Sequence, residues 1–320
     1  MKWVFAAITI VAIIRASIDE EDYDDYRAPH TCLTPGCGDE NSRQNPDIGI
    51  HKGVRVVQLL SGDEHSKMKT ARPEQQQLFA MARQVVYQRM FKSLAYALLP
   101  PTTLQMQNYI YLIGDAASNE VAVVDGCWDP EGIDRYATEQ GLKIVAYIAT
   151  HHHWDHIGSV ERGIPGMAYF IDKLGLPGYI HRVERESAIK ATVLKGSDRL
   201  NAVEDGFKLN MGTIKLTFMH TPGHSPGSMT IQMNDSNGAP VSLVTGDTLF
   251  PGSCGRVDLE DSDKKDMYHS LQHVLARQPE DMVVWPGHGY GGANSTIGRE
   301  KQAGFLRTMT LSYWMNMMSR

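Results

Sequence analysis

The sequence predicts a layered α/β domain with helices covering its sheets, and two observations predict it. Short β-rich runs follow one another from Gln107 onward: Tyr109 to Ile113, Val121 to Val124, Ile144 to Thr150, Ile214 to His220, Met229 to Met233, Val241 to Thr245 and Met282 to Trp285. Helix-like segments lie between them, near Pro130 to Gln140, Arg182 to Leu194, Lys264 to Arg277 and from Ile297 to the C-terminus. Each β-rich run ends at Gly, Asp, His or Pro, except Met229 to Met233, which ends at Asn234, so the strands deliver turn and polar residues to their ends. With 320 residues and 42% hydrophobic content, the chain has material for one large domain or two modest ones.

The first hundred residues have a different character. Lys2, the apolar run Trp3 to Ile14 and the small residues Ala16 and Ser17 follow the order of a secretory signal peptide over 1–17, which implies a secretory or extracellular address. The run is shorter than the ~20 residues that cross a bilayer, so membrane attachment is expected only if this segment stays uncleaved as a short anchor. A mitochondrial presequence is the alternative, and the acidic residues Asp19-Glu20-Glu21-Asp22 argue against it. Residues 18–50 read as an acidic, disordered leader. The domain is then expected over 51–320, beginning with a strand from Gly53 to Leu60 and a helical extension from Pro73 to Leu98 that Pro100-Pro101 closes. Cys32 and Cys37 either pair in an oxidising lumen or remain free thiols; with Cys127 and Cys254 they are too few for a disulfide scaffold. Asn234-Asp-Ser and Asn294-Ser-Thr are glycosylation sequons that matter only in that compartment. The net charge of −6 gives no basic footprint for a phosphate backbone, which excludes nucleic acid and leaves a small-molecule substrate.

Chemistry concentrates after the run Ile144 to Thr150, which leads into His151-His152-His153-Trp154-Asp155-His156. Imidazole and carboxylate at this density are the donors that Zn, Mn or Fe prefer. His151, His153 and Asp155 are expected to converge from one side of an extended turn, with His156 following. Three more donors sit at the ends of β-rich runs beside glycines: His224 in Thr221-Pro-Gly-His, Asp247 in Thr245-Gly-Asp and His288 in Trp285-Pro-Gly-His. His152 and Trp154 are read as exposed or lining the pocket mouth. His269 and His273 have the spacing of a zinc helix, but Ser270 stands where the general-base glutamate of HExxH belongs.

The order HxHxDH, PGH, GD, PGH resembles the ligand set of the metallo-β-lactamase superfamily. The wording is most similar to its glyoxalase II (hydroxyacylglutathione hydrolase) and persulfide dioxygenase branches, through Gly246-Asp-Thr-Leu-Phe-Pro-Gly-Ser-Cys-Gly-Arg-Val-Asp258. The resemblance covers Gln107 to Lys301. It implies an αββα sandwich of two mixed β-sheets flanked by helices. It also implies two divalent metal ions, zinc foremost with iron or manganese as alternatives. His151, His153 and His224 would hold the first, Asp155, His156 and His288 the second, and Asp247 would bridge them. The implied activity is hydrolysis of a thioester or ester, such as a hydroxyacylglutathione-like substrate, by a metal-bound hydroxide, with Asp155 and Asp247 as catalytic carboxylates. Arg256 and Tyr290 fall where the family holds a glutathione carboxylate. Only 32 residues follow His288, fewer than the helical C-terminal domain of glyoxalase II. Three alternatives remain: a persulfide dioxygenase with one iron on His151, His224 and Asp247, a non-catalytic metal-binding protein, and, ranked low, a β-lactamase.

Overall fold

Alternation along two central strands decides what packs where. In β3 (Tyr109–Asp115) and β4 (Glu120–Val124) every side chain except Glu120 is buried, so both faces of their sheet are covered. Ile110, Leu112, Val121 and Val123 enter one core, which they share with Ile133 and Tyr136 of α1 (Pro130–Glu139) and with Phe170 and Ile171. The alternate residues Tyr111, Ile113, Ala122 and Val124 enter a second core, facing Leu216, Phe218, Ile231 and Val244 of another sheet. A third core of Leu243, Val284, Met267, Leu271 and Trp314 lies beyond that sheet. Three cores between four layers make an αββα sandwich, the fold class the sequence implies.

The computed structural model describes residues 48–51, 54–60, 106–115 and 118–319. The expected signal peptide, the leader up to residue 47, Cys32 and Cys37 and the helix from Pro73 to Leu98 lie outside the described residues.

The first sheet runs β1 (Ile48–His51), β2 (Val54–Leu60), β3, β4, β5 (Lys143–Ile148), β6 (Gly178–His181) and β7 (Leu200–Val203). It is antiparallel as far as β4 and parallel from β4 to β7. Between β5 and β6 lies the one-turn helix α2 (Trp154–Ile157), and between β6 and β7 lies α3 (Arg185–Thr192). The second sheet comprises β8 (Lys208–Met211), β9 (Ile214–His220), β10 (Met229–Asn234), β11 (Pro240–Gly246), β12 (Val283–Pro286) and β13 (Ser295–Thr296), in that order from one edge. Only the β11 and β12 pair is parallel there. The outer helices on that side are α4 (Lys264–His269), α5 (Ile297–Ala303) and α6 (Leu311–Met317).

Several boundaries differ from the sequence reading. β1 begins at Ile48, inside the stretch read as leader. Strands β6, β7 and β8 carry no signal a periodicity scan would catch, because each has four residues, and β7 and β8 bury little of their length. The helix expected from Ile297 to the C-terminus breaks at Gly304 and restarts at α6, where the Thr310 hydroxyl accepts the Tyr313 N–H at 3.2 Å. The segment expected as one helix from Lys264 to Arg277 begins as α4 but widens to a π turn at Ser270–Val274 and tightens to a 3-10 turn at Leu275–Arg277. Asn234, read as a sequon, is buried in β10 with its amide donating to Lys215 O and Thr217 Oγ1.

Helix α6 is held by Trp314, which is fully buried in the third core and donates its indole N–H to Lys264 O at 2.6 Å. Trp314→Ala is expected to lower unfolding stability by about 3–5 kcal/mol, read from the midpoint shift in chemical denaturation.

Candidate metal centre

The parallel pairs β4/β5 and β11/β12 aim the loops at their C-terminal ends toward one end of the sandwich, the usual place for a site in such sheets. β5 stops at Ile148, two residues short of the expected end, because Asp125 captures the polar groups of Thr150. Its Oδ1 accepts the Thr150 N–H at 2.8 Å and its Oδ2 accepts the hydroxyl at 2.7 Å. His153 then takes an extended backbone (φ −62°, ψ 144°) and precedes α2. Asp155 and His156 therefore project from a helical turn and not from the extended turn the sequence reading expected. This bend splits the HxHxDH motif between two clusters.

His151, His153 and His224 form one group whose donor atoms all lie within 4.8 Å of one another. Asp155, His156 and His288 form a second by the same measure, and His151, His156 and Asp247 a third that joins them. Asp247 lies between the groups: its Oδ2 is 3.4 Å from His224 Nε2 and 3.1 Å from His288 Nε2, and its Oδ1 is 3.4 Å from His156 Nε2. The glycines of the turns permit this approach. Gly223 adopts φ +137°, and a Cβ on Gly287 would stand 2.3 Å from Asp247 Oδ1. All seven side chains that the motif comparison selected therefore meet.

Four of the five rings are oriented from behind by an oxygen. His156 Nδ1–H donates to Asp125 Oδ2 at 2.9 Å, His224 Nδ1–H to Arg256 O at 2.9 Å and His288 Nδ1–H to Met106 O. The Thr150 hydroxyl, its proton committed to Asp125, accepts from His151 Nδ1–H at 3.0 Å. With the outward nitrogens protonated, the inward ones are the atoms left to meet a cation, His156 on giving up the second proton that its carboxylate neighbours stabilise. Asn108 Nδ2 donates to Asp155 Oδ2 at 3.0 Å and fixes that carboxylate in the same way.

The residues fit divalent cations on these grounds. His151 Nε2 and Asp247 Oδ1 are buried without a hydrogen-bond partner. Facing nitrogens stand 2.9 Å apart in the His153–His224 pair and 3.1 Å apart in the His156–His288 pair, contacts that need either a proton or a cation between the two rings. Donors bound tetrahedrally to one zinc at ~2.0–2.1 Å lie about 3.3 Å from each other, close to these spacings. Burial and the neighbouring imidazoles hold His151 well below the ordinary histidine range and His153 down at about 4, which keeps both rings neutral donors. Burial also depresses His156, but the Asp247 and Asp155 carboxylates overcome it and raise this ring to about 10. Asp247 is held well below the carboxylate range, where His288 and His156 outweigh the opposing effect of burial.

The remaining expected residues are less central. The Arg256 guanidinium is exposed and paired with Asp258, at 2.9 Å from Nε and 3.0 Å from Nη2; it is the Arg256 carbonyl that reaches the centre, through His224. Tyr290 stacks on His288 with ring centroids 4.7 Å apart and planes within 6°, and stays 53% exposed. Trp154 packs edge-on to Trp128 beneath the Arg162 guanidinium. His152 is half-buried and contacts Glu184 and Asp261, so it does more than line the mouth. His269 and His273 join no metal-competent cluster among the described residues. Sequence reasoning missed Asp125, Asn108, Met106, Glu184 and Asp261. Asp125 was within reach, since Asp125-Gly126 ends a β-rich run as Asp247 does.

A family model for the metallo-beta-lactamase superfamily matches residues 104–288. The chain is 31% identical to the probable metallo-hydrolase YqgX of Bacillus subtilis, over 60% of this chain and 88% of that protein. It is 35% identical to a cytoplasmic hydroxyacylglutathione hydrolase of Arabidopsis thaliana, over 57% of this chain and 64% of the plant enzyme, slightly under two thirds of its length. It is 28% identical to the mitochondrial persulfide dioxygenase ETHE1 of Homo sapiens, over 66% of this chain and 75% of that enzyme. Among solved structures, a metallo-beta-lactamase from Staphylococcus aureus superposes with a TM-score of 0.55 at 28% identity, over 66% of this chain and 62% of that one. The fold, the converging His and Asp side chains and a family match over more than half of the sequence agree: the chain belongs to the metallo-β-lactamase superfamily, whose members bind divalent metal ions.

Proposed function

We propose that this protein is a metal-dependent hydrolase of a small thioester or ester, of the hydroxyacylglutathione type. In this reading His151, His153 and His224 hold one divalent ion, Asp155, His156 and His288 hold a second, and Asp247 serves both. The observation that carries it is the place of Asp247, within 3.4 Å of a histidine from each group with one carboxylate oxygen unpartnered. Zinc is the expected ion, and iron or manganese suit the same donors. Bound ions supply a nucleophile from water at neutral pH and polarise the substrate carbonyl.

The chain's own part is orientation. Asp125, Arg256 O and Met106 O keep the ring protons outward, so the inner nitrogens remain donors throughout a turnover. Asn108 holds Asp155 in place. Tyr290 stacks on His288, backed edge to face by the buried Phe250, and leaves an exposed aromatic surface beside the centre. Arg256, 69% exposed on its side chain, is free to exchange Asp258 for a substrate carboxylate. The resemblance to hydroxyacylglutathione hydrolase supports the thioester class.

The second reading, a persulfide dioxygenase with one iron on His151, His224 and Asp247, is favoured by the similarity to the human enzyme.

Purified protein is expected to contain about two ions per chain by elemental analysis and to lose thioester hydrolysis on chelation, with recovery on adding zinc. The doubly substituted His153→Ala, Asp247→Ala protein is expected to lose at least about 10³-fold in kcat/KM for the thioester; activity within tenfold of wild type would sink the hydrolase reading. Iron-loaded protein is expected to consume no oxygen with glutathione persulfide. Stoichiometric consumption would establish the dioxygenase instead.

A further inference from the structure

Glu184 is a buried carboxylate that the proposed hydrolysis does not use. It lies at the junction of β6 and α3, and its side chain is 1% exposed. Burying an ionised carboxylate is costly unless its lone pairs are satisfied. Here both oxygens are bonded, and the donors come from two loops distant in sequence. Oε2 accepts the His152 N–H at 2.8 Å and contacts the His152 ring nitrogen Nδ1. Oε1 accepts the Ser225 hydroxyl at 2.6 Å and the Gly227 N–H at 2.6 Å. His152 lies between His151 and His153, and Ser225 follows His224 directly. One carboxylate thus fastens together the two loops that carry the three imidazoles of the first group.

The second group is held by other residues. Asp125 orients His156, Asn108 holds Asp155 and Met106 O fixes His288, none of them through Glu184. The far nitrogen of His152 is 3.6 Å from Asp261 Oδ2, and Asp261 Oδ1 is 3.9 Å from His153 Nε2, so the chain of contacts that starts at Glu184 returns to a donor of the first group. Although burial opposes ionisation, bonding from His152 and then from Ser225 and Gly227 brings Glu184 down to about 2, so the anion persists at any working pH.

We propose that Glu184 is a positioning residue that sets the spacing of His151, His153 and His224 and thereby the affinity of the first metal position alone. This rests on the two-ion reading above. Glu184→Gln keeps the size but presents an amide N–H to donors, so one of the four contacts becomes a repulsion.

The test is zinc affinity by chelator competition on wild type, Glu184→Gln and the milder Ser225→Ala. His153→Ala serves as the reference for loss of the first position and His156→Ala for loss of the second. Glu184→Gln is expected to bind one zinc as wild type does and a second 10–100-fold more weakly, the pattern of His153→Ala in partial form. Ser225→Ala is expected to weaken the same ion a few-fold, and it still decides the matter if Glu184→Gln does not fold. A general loss of structure would instead weaken both ions and melt the metal-free protein earlier. Equal weakening at both positions, or wild-type affinity in every variant that folds, overturns the inference. A wild-type chain that takes up no zinc overturns the metal reading and this inference together, whereas two tight ions in wild type and variants alike overturn this inference alone.

Discussion

Five imidazoles and two carboxylates packed at one end of a sandwich, most of them buried, persist only if their lone pairs and charges are answered, and that requirement converges on Asp247. Each unpartnered buried polar atom costs about 1–3 kcal/mol, and like lone pairs facing each other add to it. Part of the charge is balanced within the protein, by a proton that Asp247 and Asp155 stabilise on His156 against burial. Divalent ions, which members of the superfamily bind, would answer the rest more completely by meeting the inward donor atoms with positive charge. The rings cannot turn away to avoid the conflict, since an oxygen fixes the outer nitrogen of four of them.

The architecture supplies that rigidity. Strands covered on both faces leave no freedom to slide, since a one-residue slip would exchange the contents of the first and second cores. The loops of β5, β11 and β12 therefore leave their sheets at fixed points. A short crossing between the sheets completes the frame: Asn108 bridges to His288, with Tyr109 N–H donating to Gly287 O at 2.8 Å and Gly289 N–H to Gln107 O at 3.0 Å. Glu184 ties together the loops of the first group, Asn108 and Met106 hold members of the second, and Asp125 serves both, orienting His156 directly and His151 through Thr150.

The family similarity fixes less about reaction than about architecture. Hydroxyacylglutathione hydrolases and persulfide dioxygenases both match this chain, one breaking an acyl bond with water and the other using oxygen. Beside the converging side chains, Tyr290 packs edge to face on the buried Phe250, Asp261 faces His153, and the exposed Arg256 guanidinium pairs with Asp258.

The sequence by itself singled out the seven His and Asp side chains that converge, and their order, because polar residues that follow strands and adjoin glycines leave a local signature of fixed spacing. It also determined the layered class and the long strands, whose side chains alternate with a period a scan can detect. Asp125 carried the same signature as Asp247 and was legible on that rule. Only the tertiary structure supplied the physical cause of the division among donors that the family resemblance implies, since the helical turn after His153 sends Asp155 and His156 to a different group from His151 and His153. It alone revealed Glu184, Asn108 and Met106, and the carbonyl role of Arg256. These act through hydrogen bonds between segments tens to nearly two hundred residues apart, and such contacts come from chain packing and leave no pattern in the neighbouring residues.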